Sequence, residues 1–174
     1  MKEIARYGFI LALICIIAAG LLAGVNVLTR SKIAAQSLAE EQAALKEVMP
    51  KAAKFSEVKA GQDILYYRAL DSQDSLMGFV FKASGKGYSS VLETLAGVFL
   101  DGKISAIKVI SLNETPGLGM RVAEGSFTNQ FKDQDTLNLS GIQAIAGATI
   151  SSRAVIDSIT KKAQELQKLI KNEE

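Results

Sequence analysis

The pattern of apolar and polar positions divides the chain at once. From Tyr7 to Leu28 the sequence YGFILALICIIAAGLLAGVNVL holds no charged residue over 22 positions. As an α-helix at about 1.5 Å per residue it is roughly 33 Å long, enough to cross a hydrocarbon core of about 30 Å. The apolar part of a cleaved signal peptide is shorter, about 7–15 residues, and no clear Ala-x-Ala site followed by a mature start is present. Residues 1–30 are therefore expected to form an uncleaved transmembrane anchor, with the polar Asn26 near one interface. Ser31 to Met49 continues as a helix rich in Ala, Glu, Gln and Leu, ended by Pro50. Ile33, Leu38, Leu45 and Val48 loosely share one face, so residues 31–50 read either as a stalk or as the first helix of the domain that follows.

Residues 51–174 predict one α+β domain. Ile64 to Leu70 and Met77 to Ala83 flank the polar DSQDS segment as a hairpin. Beyond the glycine-punctuated SGKGYSS, Val91 to Leu100 and Lys103 to Leu112 flank Asp101-Gly102, a hairpin signal whose two central positions would both need positive φ. These strands form an antiparallel meander, not a βαβ series. A short helix is expected around Ser126 to Lys132, with Phe127 and Phe131 on one face. A longer amphipathic helix is expected from about Ser152, with Val155, Ile159, Leu166 and Ile170 on its apolar side.

Composition narrows the chemistry. The 174 residues include 20 Lys plus Arg, 18 Asp plus Glu, one Cys, and no His or Trp. Without histidine there is no Ser-His-Asp or Cys-His catalytic set and no His-ligated haem or zinc. One Cys excludes an internal disulfide and an iron–sulfur cluster held by this chain alone. The formal charge of +2 gives no basic field for nucleic acid. Lys2 and Arg6 before the span balance Arg30 and Lys32 after it, so the positive-inside rule is tied, and the free amino terminus favours an inside amino end. Cys15 lies within the span. The cysteine-free remainder is compatible with an external domain.

Two segments are candidates for chemistry. Asn113-Glu114-Thr115-Pro116-Gly117-Leu118-Gly119 follows a strand, and Pro-Gly suits the centre of a type II turn. Taken alone this is an ordinary loop, although Glu114 and Gly119 also make a polar backbone that a flat ligand can approach closely. Ala146-Gly147-Ala148-Thr149-Ile150-Ser151-Ser152 precedes the last helix. Its amides and hydroxyls suit phosphate, and equally Thr149, Ser151 or Ser152 simply caps the helix.

In this order the two segments resemble the FMN-binding domain family that carries covalently attached flavin, and within it the G subunits of the Rnf ion-translocating ferredoxin:NAD oxidoreductase. That family pairs a Glu-Thr-Pro-Gly-Leu-Gly loop with a later Ser/Thr/Ala-Gly-Ala-Thr motif, whose threonine receives FMN through a phosphoester bond made by a flavin transferase. The resemblance covers nearly the whole chain. It implies that Thr149 carries FMN, that Gly147 and Ala148 adjoin it, and that Glu114, Thr115, Pro116, Gly117, Leu118 and Gly119 line the flavin. Ser151 is a weaker alternative attachment site by position. The implied protein is a single-pass electron-transfer subunit of the inner or plasma membrane, its carboxyl domain external, working with other membrane subunits of the Rnf complex. It would not be a catalyst on its own.

Two positions depart from the family pattern. Ala146 stands where Ser or Thr is common, and Gln143 stands where an Asp usually lies. Tyr88 is a candidate to stack near the ring, though a packed tyrosine is the plainer reading. Lys132, Arg121 and Arg153 are candidates near flavin or phosphate, and solvated charges otherwise. The C subunit of the sodium-translocating NADH:quinone oxidoreductase shares both motifs and is the nearest alternative. A free-standing extracellular flavinylated carrier and a non-redox membrane-tethered scaffold are the others.

Overall fold

A computed structural model describes residues 2–61 and 63–171. It divides into two compact units, Met1–Gln42 and Ala43–Glu174.

The first unit is helical. Helix α1 runs Lys2–Val48, and its Arg6–Arg30 stretch is long and apolar enough to cross a membrane. The side chains there are exposed all round, as on a helix whose apolar surface has no protein partner. Thr29 donates its hydroxyl to the Val25 carbonyl at 2.9 Å, which satisfies a polar group at the end of the run.

The second unit is built on a five-stranded antiparallel sheet in the order β1-β2-β3-β4-β5, comprising Lys54–Ala60, Asp63–Leu70, Leu76–Lys86, Val91–Phe99 and Ile104–Ser111. Each strand pairs with its neighbour in sequence, as the meander reading requires. Two short 3-10 segments, Gly119–Ala123 and Asn129–Phe131, flank the four-residue helix α2, Gly125–Thr128. Helix α3, Thr149–Lys171, closes the chain.

Alternation along β4 explains why both sheet faces are covered. Leu92, Ala96 and Val98 face one way and join Val155, Ile159, Ala163 and Leu166 of α3, with Phe127 and Phe131 beside them. Leu95 faces the other way and joins Ala44, Leu45 and Val48 from the last turns of α1, and Met49 just after it. Those turns are thus part of the domain core. Glycine sets how closely each helix approaches. A Cβ on Gly85 of β3 would run into the Ala154 carbonyl of α3, and one on Gly97 of β4 would run into the Val48 carbonyl.

The structure revises several expectations. Strand β1 is absent from the periodic pattern because it is a charged edge strand, KFSEVKA, with only Phe55 and Val58 half-buried. Gly85 lies inside β3, where it gives α3 room. In the β4–β5 hairpin only Gly102 of the Asp101-Gly102 pair has positive φ, at 84°. Gly102 donates to the Phe99 carbonyl, Phe99 to the Lys103 carbonyl, and Asp101 accepts from the Lys103 amide. This is a three-residue connection with a glycine bulge, not a two-residue turn. The helix expected around Ser126 to Lys132 is split into α2 and a 3-10 turn, and α3 starts at Thr149 instead of Ser152.

Gly97→Ala tests the close approach of α1. The added methyl meets backbone and not a movable side chain, so a loss of about 1–3 kcal/mol is expected in denaturant unfolding. Ala in place of the exposed Gly125, whose Cβ would meet only Asn129 Nδ2 at 3.4 Å, is the control and should change stability far less.

Candidate functional site

At the end of β3 the chain turns through Gly87 to Ser90, closed by the Gly87 amide donating to the Ser90 carbonyl at 2.8 Å. Beside it, β5 gives way to the loop that begins at Asn113. The Asn113 amide donates to Ser90 Oγ at 2.9 Å, which ties the two together. The next residue, Glu114, turns inward.

Its carboxylate is the hub of the site. Oε1 accepts the amides of Ser89 and Ser90, both at 3.0 Å, and the Ser90 hydroxyl at 3.3 Å. Oε2 accepts the Ser151 hydroxyl from the first turn of α3 at 2.9 Å. Two glycines make room for it. A Cβ on Gly87 would lie 2.5 Å from Oε1, and a Cβ on Gly119 would lie 2.7 Å from Oε2. Burial pushes the carboxyl pKa up. The Ser90 amide, the Ser151 hydroxyl, the Ser89 amide and the Ser90 hydroxyl outweigh that and hold it below the ordinary glutamate value.

After Glu114 the expected turn forms. Leu118 donates its amide to the Thr115 carbonyl at 3.2 Å, with Pro116 second and Gly117 third at φ 74°. The segment before α3 is held as firmly. Gln130 Oε1 accepts the Gln143 amide at 2.9 Å, and its Nε2 donates to the Gln143 carbonyl at 3.4 Å. Ser152 Oγ accepts the Ile145 amide at 3.1 Å and donates to the Ala148 carbonyl at 2.9 Å. Gly147 adopts φ 80°, and a Cβ there would press on Leu118 at 3.2 Å.

These segments enclose a cavity of about 460 Å³. Of the residues singled out in the sequence, Glu114, Thr115, Leu118, Gly119, Gly147, Ala148, Thr149 and Ser151 line it, while Pro116 and Gly117 do not. Tyr88 lines it too and is 72% exposed, so it is not the packed tyrosine of the plainer reading. Ile150 also lines it, and nothing in its spacing marks it out. Arg121, Lys132 and Arg153 are not in the wall.

The hydroxyls of the α3 start differ sharply. Ser151 and Ser152 are buried and hydrogen-bonded, so both belong to the packing. Thr149 is exposed, and among the described residues its hydroxyl has no partner. The first backbone bond into α3 is from the Ser152 amide to the Ala148 carbonyl at 2.9 Å. The amides of Thr149, Ile150 and Ser151 therefore precede the helical ladder, where unpaired N–H groups and the helix dipole favour an anion.

Glu114→Ala should cost about 2–4 kcal/mol in denaturant unfolding, because it strands buried donors. The pH dependence has a definite sign. A carboxylate whose pKa is depressed by folding stabilises above its unfolded value, and that contribution is lost as pH falls through the folded value. The gap in thermal midpoint between wild type and Glu114→Gln should therefore be full at neutral pH and shrink once pH drops below 4.5. A gap that stayed constant down to strongly acid pH would contradict an ionised Glu114.

Known proteins match both units of this chain. The model of the RnfG N-terminal region matches residues 1–48, and that of the FMN-binding domain matches residues 87–164, which include every residue of the cavity wall. The G subunit of the ion-translocating oxidoreductase complex of Methanosarcina acetivorans is 32% identical over 172 residues, covering 91% of this chain and 92% of the relative. The G subunit of the Na(+)-translocating ferredoxin:NAD(+) oxidoreductase complex of Acetobacterium woodii is 30% identical over 196 residues, covering 98% and 95%. Among solved structures, Shewanella oneidensis NqrC has a TM-score of 0.51 at 18% identity, covering 69% of this chain and 73% of its own, a likeness of fold. At that identity to its relatives over nine-tenths of its length, the chain belongs to the family of G subunits of ion-translocating ferredoxin:NAD oxidoreductase (Rnf) complexes.

Proposed function

We propose that Thr149 carries FMN through a phosphoester bond, and that the chain is a membrane-anchored electron-transfer component of an Rnf complex. The observation that carries this reading is the contrast among three neighbouring hydroxyls. Thr149 is exposed at the cavity and unbonded among the described residues, while Ser151 and Ser152 are buried and committed to Glu114 and to the Ile145–Ala148 turn. A flavin transferase needs a hydroxyl it can reach, and this turn offers one.

The residues present fit the group. A cavity of about 460 Å³ lies within the range of about 300–1,000 Å³ typical of small-molecule sites. The free amides of the first turn of α3 suit a phosphate ester on Thr149 Oγ1. Tyr88, Leu118 and Ile150 offer exposed apolar surface for a planar ring, and Gly119 and Gly147 keep the floor low. Once bound, the flavin would supply the electron chemistry that a chain without histidine lacks. The protein's part is to hold, orient and electrostatically surround it.

The Arg6–Arg30 stretch would serve as the single-pass anchor, in contact with the other membrane subunits of the complex. A domain without cysteine suits the external side of the inner or plasma membrane, and a covalent tether there prevents loss of the cofactor to dilute surroundings. The relatives that align along nine-tenths of the chain are G subunits, which favours this reading over the C subunit of the sodium-translocating NADH:quinone oxidoreductase.

The intact mass of natively produced protein should exceed the sequence mass by one FMN less one water. Thr149→Ala should lack that increment, while Ser151→Ala should keep it. An increment that persists in Thr149→Ala would move the attachment to Ser151. No increment in wild type would remove the covalent reading.

A further inference from the structure

Among the described residues, the wall of the cavity contains one formal charge, and it is negative. Besides Glu114 the lining is apolar, small or hydroxyl-bearing, with no lysine or arginine. Glu114 is 5% exposed and fixed by hydrogen bonds from three residues, so it cannot swing out to solvent. Glycine stands against each carboxylate oxygen, Gly87 at Oε1 and Gly119 at Oε2, so neither of these neighbours brings a charged side chain to it. These are two separate facts about the site. The carboxylate is structurally committed, and its charge is nevertheless left uncompensated.

We propose that Glu114 is a redox-tuning residue: its fixed negative charge in the cavity wall disfavours the reduced form of the flavin held at Thr149 and so poises that cofactor at a low potential. This rests on the reading of Thr149 as the attachment site. The argument is electrostatic. Each electron delivered to a flavin without an accompanying proton adds negative charge to the ring. A carboxylate fixed in the cavity wall, its own side chain buried, opposes that charge and is screened less by salt than a surface group. Charge near the ring is one of the few means by which a protein adjusts the electronics of this cofactor. The hydrogen bonds that depress the pKa of Glu114 keep it ionised at neutral pH. The free amides of Thr149, Ile150 and Ser151 pull the other way, but they belong to the first turn of α3, where a phosphate ester on Thr149 would itself be the nearest anion to them.

The measurement is a spectroelectrochemical titration of the full-length, detergent-solubilised, flavin-loaded protein, with loading checked by intact mass. Glu114→Gln keeps the shape and an amide oxygen that can accept the Ser89 and Ser90 donors, and it should raise the midpoint potential. A tenfold gain in the equilibrium constant for one-electron reduction, about 59 mV, is the expected scale. Ser151→Ala separates charge from clasp, because it removes the bond to α3 but leaves the carboxylate in place, and it should not raise the potential. A loaded Glu114→Gln protein with the wild-type potential would overturn the proposal. So would an equal rise in Ser151→Ala, since the effect would then belong to the geometry of the clasp. If Glu114→Gln does not fold, Thr115→Lys places a cation at the exposed rim and should raise the potential, and an unchanged value there counts against the proposal. Wild type without the FMN increment fails differently, because it removes the attachment reading on which tuning depends.

Discussion

One buried carboxylate holds the site together. Glu114 receives donors from the β3–β4 turn and from the first turn of α3, and it is itself carried by the loop after β5. Three segments that are distant in sequence meet on two oxygen atoms. Burying an anion costs several kcal/mol unless its hydrogen-bonding capacity is met, and here four donors meet it. The cage depends on Gly87 and Gly119, since a side chain at either position would occupy the place of a carboxylate oxygen. Stability and site geometry therefore share one interaction.

The glycines of the domain do two distinct kinds of work. Gly117 and Gly147 take positive φ, at 74° and 80°, and shape the loops that border the cavity. Gly85 and Gly97 have ordinary strand backbones and act by absence, letting helix backbone lie directly on the sheet. The first kind decides where the chain turns. The second decides how far a helix sits from the strands, and so the height at which α3 presents its first turn.

Much of this was legible in the residues. The apolar run follows from its uninterrupted length, and the meander of β2 to β5 and the amphipathic α3 from patterns in which apolar positions face the core. Pro116-Gly117 signalled its turn through φ preferences alone. Strand β1 was not legible, since an edge strand that half-buries only Phe55 on one face and Val58 on the other carries more charge than pattern. Asp101-Gly102 signalled the hairpin but not its turn, because an aspartate that accepts the Lys103 amide does not need positive φ. At the site, the family resemblance implied Glu114 as a group lining a ligand, and position alone offered Ser151 as an alternative attachment site. Neither conveyed that these side chains satisfy each other, which leaves Thr149 as the exposed hydroxyl of that turn. Tyr88 was a candidate in the sequence, but its exposed place in the wall, like that of Ile150, is set by the fold.

The strand order carries a consequence for how the molecule assembles. Every strand pairs with the one before it, so the sheet can grow from hairpins with short loop closures, which are entropically cheap and fast. The contacts that complete the cavity are of another kind. Glu114 and Ser151 are 37 residues apart in sequence, and Ser90 and Glu114 are separated by 24. The second can form once β5 is in place, but the first forms only once α3 has settled on the finished sheet. A newly made polypeptide that stalls at the hairpin stage would therefore present a sheet with no finished cavity, and without the buried contacts that set Thr149 apart from Ser151 and Ser152.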